Sequence, residues 1–413
     1  MVLLSHPVGN ANSRHALRSL HERNMLAAFY TTVAWDENSV WNRLLPAKVS
    51  RELTRRAFPG IPKELIHTAP FRELWRTLLT RLGMQPSLEK FDSPFSISNI
   101  CRHIDRTAAE AVVRFQPKAV YAYENVALHT FRTARQMGIK TIFELPIAYG
   151  RFRTELFREE VELQPAFAET FHKAFADSEW MRHEDEELAL ADRVIVPSGF
   201  VRSSLPSSIP SSCVRVVPYG APSSIGGESL RKSSASRKLK VLYVGGLTQR
   251  KGLSYLLEAI KKVEASVEFT MVGTRVGECK PLDAALQRYR WIPTLPHDAI
   301  LDEMSRHDVL AFPTLLEGFA LVILEAMSRG MVVITTPNSG ALEVITDGGD
   351  GFIVPIRSSD AIAEKLEHLN TDRDLLATIS RAAQKRAAEC TWQKYRELLG
   401  ATVMQTLGER SCQ

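Results

Sequence analysis

Two carboxylates stand eight residues apart in the stretch Glu317-Gly-Phe-Ala-Leu-Val-Ile-Leu-Glu325. Glu317 falls in a Gly-containing turn and Glu325 in an apolar run of helical character. A strand-like segment, Asp308 to Pro313, precedes both. Eight residues of helix rise roughly 12 Å over a little more than two turns, so both acids can face one side. That separation suits a long polyhydroxylated ligand better than one reacting atom. One carboxylate could hold a sugar and the other a ribose, because a carboxylate accepts charge-assisted hydrogen bonds from vicinal hydroxyls. The backbone N–H groups of Phe319, Ala320 and Leu321, at the predicted helix start, add a place for a phosphate.

A second motif, Val244-Gly-Gly-Leu-Thr-Gln-Arg-Lys-Gly252, lies between a strand and a predicted helix over 253–262. Gly245 and Gly246 let the backbone approach a phosphate, and a helix start offers unpaired N–H groups and a positive dipole end. Lys251 adds a full positive charge. Arg250 reads equally as a phosphate contact or a solvated surface group. The loop is neither a Walker loop nor a G-x-G-x-x-G fingerprint.

These motifs must be positioned by something. Short apolar, β-branched runs recur at 2–5, 28–33, 119–123, 141–145, 193–197 and 214–218. A second set follows at 240–244, 267–272, 288–292, 308–313, 332–335 and 352–354. Uninterrupted apolar strands alternating with helix-length segments predict parallel sheets covered on both faces. The Ser- and Gly-rich stretch 222–238 has no apolar period and reads as a linker. The expected fold class is α/β, with two doubly wound Rossmann-like domains facing across a cleft at the carboxyl ends of their strands. The expected boundaries are 1–221, a linker at 222–238, 239–385, and a C-terminal helix at 386–413.

Composition agrees with that size. The chain has 413 residues, 45% of them apolar and 24% charged, with a net charge of only +5, which gives a nucleic-acid reading no support. The five cysteines are scattered and form no C-x-x-C pair, so a reducing, cytoplasmic setting is expected. No run of eighteen apolar residues occurs, and no transmembrane helix is expected.

The Glu317–Glu325 stretch resembles the E-x7-E element of retaining, nucleotide-sugar-dependent glycosyltransferases, most closely family 4. Ala326-Met327, Gly330, Val332 to Thr336, Ser339-Gly340, Glu343 and Asp347-Gly348 to Gly351 extend the match, which is strongest from about 237 to 355. The resemblance implies the GT-B architecture and transfer of a glycosyl group from a nucleoside-diphosphate sugar with retention of configuration. It assigns Glu317 to the donor sugar, Glu325 to the ribose, Lys251 to the diphosphate, and Thr294 and Leu295 to the nucleotide base. No cofactor or metal beyond the donor is implied. Gly9 and Asn10 fall in the loop that approaches donor phosphate and acceptor. His6 reads as a cleft group or as a packed or capping histidine, and His297 and Asp298 as caps of the next helix. A final helix bearing a Trp motif is expected to cross back onto the N-terminal domain.

The chain departs from the family in three places. Gly246 stands where the family often has Arg, and Ala320 where it often has Gly. Phe143 and Glu144 stand where many members carry a His that supports the donor sugar, so either Glu144 takes a related catalytic role or that contact is missing. Tyr121, Tyr123 and Glu124 are expected at the cleft rim. A segment at 48–82 interleaves arginines and lysines with Phe71, Leu74, Trp75, Leu78 and Leu79. It reads either as a surface helix touching the inner membrane face beside a lipid-linked acceptor or as helices packed on the N-terminal sheet. The acceptor is left open among carbohydrate, lipid-linked and small-molecule classes. The alternatives to a transferase in polysaccharide or glycoconjugate assembly are a sugar-nucleotide epimerase of the same architecture and a non-catalytic nucleotide-binding regulator.

Overall fold

The structure is a computed structural model that describes residues 1–36, 53–54, 56–84, 93–171, 178–221 and 237–409. Most of the expected linker, together with Lys48, Arg51, Glu52, Arg55 and Cys412, lies outside the described residues.

The N-terminal sheet contains β1 (Val2–Ser5), β2 (Leu26–Thr31), β3 (Ile66–Thr68), β4 (Ala119–Tyr123), β5 (Lys140–Glu144), β6 (Arg193–Val196) and β7 (Val214–Val216). They lie in the order β3-β2-β1-β4-β5-β6-β7, and every pair is parallel. The C-terminal sheet contains β8 (Leu239–Val244), β9 (Val267–Val272), β10 (Arg290–Ile292), β11 (Val309–Phe312), β12 (Val332–Thr335) and β13 (Phe352–Ile353). Its order is β10-β9-β8-β11-β12-β13, again all parallel. Both orders run outward in two directions from a central strand, as in two doubly wound sheets. The central strands are buried along their whole length, for example β4, β11 and β12. Helices on both faces leave no solvent side, which is why these strands read as apolar runs rather than alternating ones.

β3 has no counterpart in the sequence reading. It is a three-residue edge strand against β2, inside the basic stretch that the periodicity assigned to helix. That stretch is a 3-10 turn (Lys63–Leu65), β3, and one helix (Phe71–Arg81). The Trp-bearing helix Trp392–Gly408 packs on helix Ala11–Glu22 of the N-terminal sheet. Trp392 stacks on His15 at 4.2 Å, Ser19 donates to the Arg396 carbonyl at 2.6 Å, and Arg193 pairs with Glu409. No described helix is long and apolar enough to cross a membrane.

The two sheets approach closely at one turn. A Cβ on Gly318 would lie 1.7 Å from the Pro146 carbonyl oxygen, just after β5, so only glycine permits this contact. Ser198 Oγ donates to the Gly318 carbonyl at 2.6 Å, and Glu343 accepts from the Gly199 N–H at 2.5 Å.

Candidate active site

The candidate residues follow the carboxyl ends of their strands: Gly9 and Asn10 after β1, Gly245 after β8, Thr294 and Leu295 after β10, and Glu317 after β11. Glu144 is the last residue of β5. Doubly wound sheets open their ligand crevice at this edge.

The glycine loop after β8 closes in a 3-10 turn, Gln249–Lys251, and then in Gly252, whose φ is +70°. A Cβ at Gly252 would lie 1.9 Å from the Pro313 carbonyl oxygen. That close approach brings the loop against the turn after β11. The Leu315 N–H donates to the Arg250 carbonyl at 2.9 Å, and Thr314 Oγ1 donates to the same oxygen at 3.1 Å. Two positively charged side chains and Glu317 thereby meet. Lys251 Nζ pairs with Glu317 Oε1, and Arg250 Nη1 reaches the same oxygen at 2.5 Å and the Leu316 carbonyl at 2.9 Å. Lys251 also sits 4.8 Å over the Phe312 ring. Burial works against the Glu317 charge, yet Lys251 and Arg250 overcome it and hold the carboxyl below its usual value. Burial likewise pulls the Lys251 ammonium below that of an ordinary lysine, with Glu317 opposing.

Glu325 lies one helix farther on, in Leu321–Ser328. Its side chain is only 16% exposed, and its only described ion partner is the His297 imidazole at 3.9 Å. Burial raises its carboxyl, weakly opposed by His297. A mostly enclosed carboxylate so poorly partnered is costly unless a ligand supplies donors. His297 therefore faces Glu325 rather than capping its helix; the cap position is Pro296, and no side-chain capping bond is made there. The same loop carries exposed Thr294 and half-buried Leu295. At the start of the Glu325 helix, the Ala320 N–H is already donated to the Ser339 carbonyl at 2.9 Å. It is thus not open to a phosphate; in the turn beyond it the Ile323 N–H donates to the Ala320 carbonyl at 2.9 Å, which leaves the Leu321 and Val322 N–H groups without an intrahelical acceptor.

The N-terminal candidates behave differently. Asn10 is the N-cap of helix Ala11–Glu22: its Oδ1 accepts from the Ser13 N–H at 2.8 Å, and its own N–H donates to Ser13 Oγ at 3.1 Å. Gly9 abuts the Phe58 ring. Glu144 is 1% exposed, enclosed by Tyr121, Tyr219 and Asn12, whose side chains donate to it at 2.5, 3.0 and 3.3 Å. Burial raises its carboxyl against those hydrogen bonds. Tyr121 and Tyr123 are buried in the core rather than set at a rim, and Glu124 pairs with Arg153 at 2.7 Å. His6 is packed: its Nδ1 accepts from the Val8 N–H at 3.0 Å, its ring meets Tyr123 edge-on, and burial lowers its pKa to about 3.

Sequence reasoning missed the groups that hold the phosphate-type loop from across the cleft. Gln249 is fully buried; its amide donates to Glu160 at 2.7 Å, and its backbone N–H donates to Thr170 Oγ1 at 2.9 Å. Glu160 also accepts from Arg357 at 2.7 Å. Nothing local in the sequence marks Glu160, which sits in an ordinary amphipathic helix (Gly150–Leu163). Tyr219 was likewise missed: besides Glu144, its ring meets that of Phe319 in the acid-bearing turn, with centroids 5.6 Å apart.

Residues 228–386 match the family model described as glycosyl transferases group 1. The capsular polysaccharide biosynthesis glycosyltransferase CapM of Staphylococcus aureus is 28% identical over 182 residues, covering 40% of this chain and 47% of that protein. The putative colanic acid biosynthesis glycosyltransferase WcaL of Salmonella typhimurium is 28% identical, covering 41% and 45%. The chain thus spans about half the length of these relatives. Two solved structures align over 98% of this chain and 99% of theirs. Sucrose-phosphate synthase from Thermosynechococcus elongatus has a TM-score of 0.67 at 15% identity, and Anabaena HepE in complex with UDP has 0.62 at 16%. Two parallel Rossmann-like sheets in the GT-B arrangement, with the acid pair and the lysine loop on the second, accompany the match of residues 228–386 to the group 1 glycosyl transferase model.

Proposed function

We propose that the protein transfers a glycosyl group from a nucleoside-diphosphate sugar to a hydroxyl acceptor in polysaccharide or glycoconjugate assembly, with retention of anomeric configuration. The observation that carries the donor half is Glu325, an enclosed carboxylate with no described hydrogen-bond donor, set beside the Thr294–Leu295 loop. A ribose with two vicinal hydroxyls would satisfy both of its oxygens. Lys251 and Arg250 would hold the diphosphate, and the Leu321 helix start would add backbone donors. Glu317 would accept from the sugar hydroxyls.

Catalysis is then electrostatic. The bond between the anomeric carbon and the diphosphate oxygen breaks, the acceptor oxygen bonds to that carbon, and the acceptor proton leaves with the departing phosphate. Lys251 and Arg250 stabilise the departing charge without a metal ion. Glu144, buried and hydrogen-bonded, is a positioning group under Tyr219 and Phe319 rather than a group in contact with substrate. The relatives named above act in capsular polysaccharide and colanic acid biosynthesis, and HepE is a UDP complex; both support this reading.

On the acceptor side, a cavity of about 320 Å³ lies beyond β2 and β3, lined by Trp35, Phe58, Ile61, Lys63 and Thr68 among others. The helix Phe71–Arg81 exposes Phe71, Leu74, Trp75 and Leu78 along one stripe. Its single acid, Glu73, is buried and neutralised by Arg56 and Arg76. An apolar stripe bordered by arginines complements an anionic lipid surface, which would present a lipid-linked acceptor.

A calorimetric screen of UDP, GDP, ADP and their common sugar conjugates tests the donor site. One nucleotide series should bind, and Glu325→Ala should weaken it at least about tenfold, as loss of charge-assisted hydrogen bonds does. Wild-type affinity in Glu325→Ala would remove the assignment. Activity undiminished by EDTA is expected, and its abolition would overturn the metal-free mechanism.

A further inference from the structure

The group proposed to receive the sugar is itself bound to the groups proposed to receive the diphosphate. Glu317 Oε1 takes Lys251 and Arg250 at once, and all three side chains are largely enclosed, 14% to 23% exposed. Here the protein carries its own anion where the donor's phosphates would bring theirs. A ligand that takes the two cations must leave Glu317 either with new donors or as an enclosed, unpartnered carboxylate next to added negative charge. An enclosed carboxylate left unpaired is strongly unfavourable.

We infer that Glu317 is a resident counter-ion that makes this site discriminate a sugar-bearing nucleoside diphosphate from the bare nucleoside diphosphate released by the reaction. The inference rests on the donor-site reading above. An intact donor draws the cations onto its diphosphate and supplies sugar hydroxyls to Glu317 in their place, so the exchange is balanced. The bare product draws the same cations, supplies no hydroxyls, and carries an additional partial negative charge on its terminal phosphate, whose second ionisation lies near pH 6. Repulsion between that phosphate and the stranded carboxylate weakens product binding. Lys251 and Arg250 then return to Glu317 as the product leaves. One carboxylate thereby serves both sugar recognition and product release.

Two measurements test this. First, the affinities of UDP, GDP and ADP and of their sugar conjugates are compared in wild type and Glu317→Gln by calorimetry, with melting temperatures confirming that the variant is folded. The glutamine should tighten the bare diphosphate by about tenfold, the scale set by one unpaired buried polar group. It should leave the sugar conjugate unchanged or weaker. Unchanged or weaker binding of the bare diphosphate overturns the inference. Second, and with no variant, the same diphosphate is titrated into wild type with and without saturating free hexose (glucose, galactose, mannose and N-acetylglucosamine in turn). One hexose should tighten the diphosphate several-fold by supplying hydroxyls to Glu317; no effect of any hexose counts against the inference. If neither diphosphates nor conjugates bind wild type at all, the donor-site reading itself fails and the inference falls with it.

Discussion

At the scale of single residues, the candidate site holds charges that burial disfavours. Glu325 is raised by burial and Lys251 lowered by burial. Both shifts disfavour the charged form that a nucleotide would need. Donor affinity should therefore weaken on two sides. On acidification, Glu325 takes its proton at a higher pH than an ordinary carboxyl. On alkalinisation, Lys251 gives up its proton at a lower pH than an ordinary lysine. A dissociation constant measured from pH 5 to pH 10 should show a maximum in affinity between these limbs. Glu325→Gln should abolish the acid limb and keep the alkaline one; an acid limb that persists would assign it to another group. Glu317 gives no such limb near neutrality, because Lys251 and Arg250 hold it ionised. These residues stood out as candidates in the sequence because an acid in an apolar helix and a lysine in a glycine loop are locally anomalous. Ala320 and Asn10 were less legible for the opposite reason. The Ala320 N–H is taken by the Ser339 carbonyl, and the Asn10 Oδ1 and backbone N–H are taken by Ser13; neither partner announces itself in the sequence.

At the scale of elements, the uninterrupted apolar strands were readable because burial on both faces leaves no alternation to confuse with a helix. β3 was not, since three half-buried or exposed residues at a sheet edge carry almost no pattern. The helix Phe71–Arg81 was recognisable as amphipathic, but its orientation was not. The structure leaves Phe71 66% and Leu78 47% exposed while burying Glu73, an inversion of the usual arrangement. This inversion predicts that the protein co-sediments with vesicles containing phosphatidylglycerol and far less with phosphatidylcholine alone. Trp75→Glu combined with Leu78→Glu should abolish that binding while leaving nucleotide affinity and the melting temperature within error. Equal sedimentation of the double variant would show that the stripe is not the contact.

At the scale of the whole molecule, the site depends on one turn, where Gly318 meets Pro146 across the cleft and Ser198 holds its carbonyl. Gly318→Ala places a methyl group where the Pro146 oxygen lies, so the two sheets must part there. Nucleotide affinity, which the proposed site places on the second sheet, should change less than threefold. Transfer should fall by about a hundredfold, the loss expected of a 1 Å misplacement of reacting groups. Equal loss of both would locate the damage within the second sheet instead. The sequence by itself determined the class of the fold, two parallel α/β sheets, and singled out the candidate residues of the proposed donor site, because hydrophobic periodicity and glycine–charge motifs are local properties of the chain. Only the tertiary structure decided which charges neutralise one another. Glu317 with Lys251 and Arg250, Gln249 with Glu160, and Glu144 with Tyr219 are pairs separated by 66 or more positions in the chain. The first and last meet because loops that follow strands of one sheet converge at its carboxyl edge, and Gln249 meets Glu160 because the two sheets dock; both are set by packing over the whole fold rather than by any stretch of sequence.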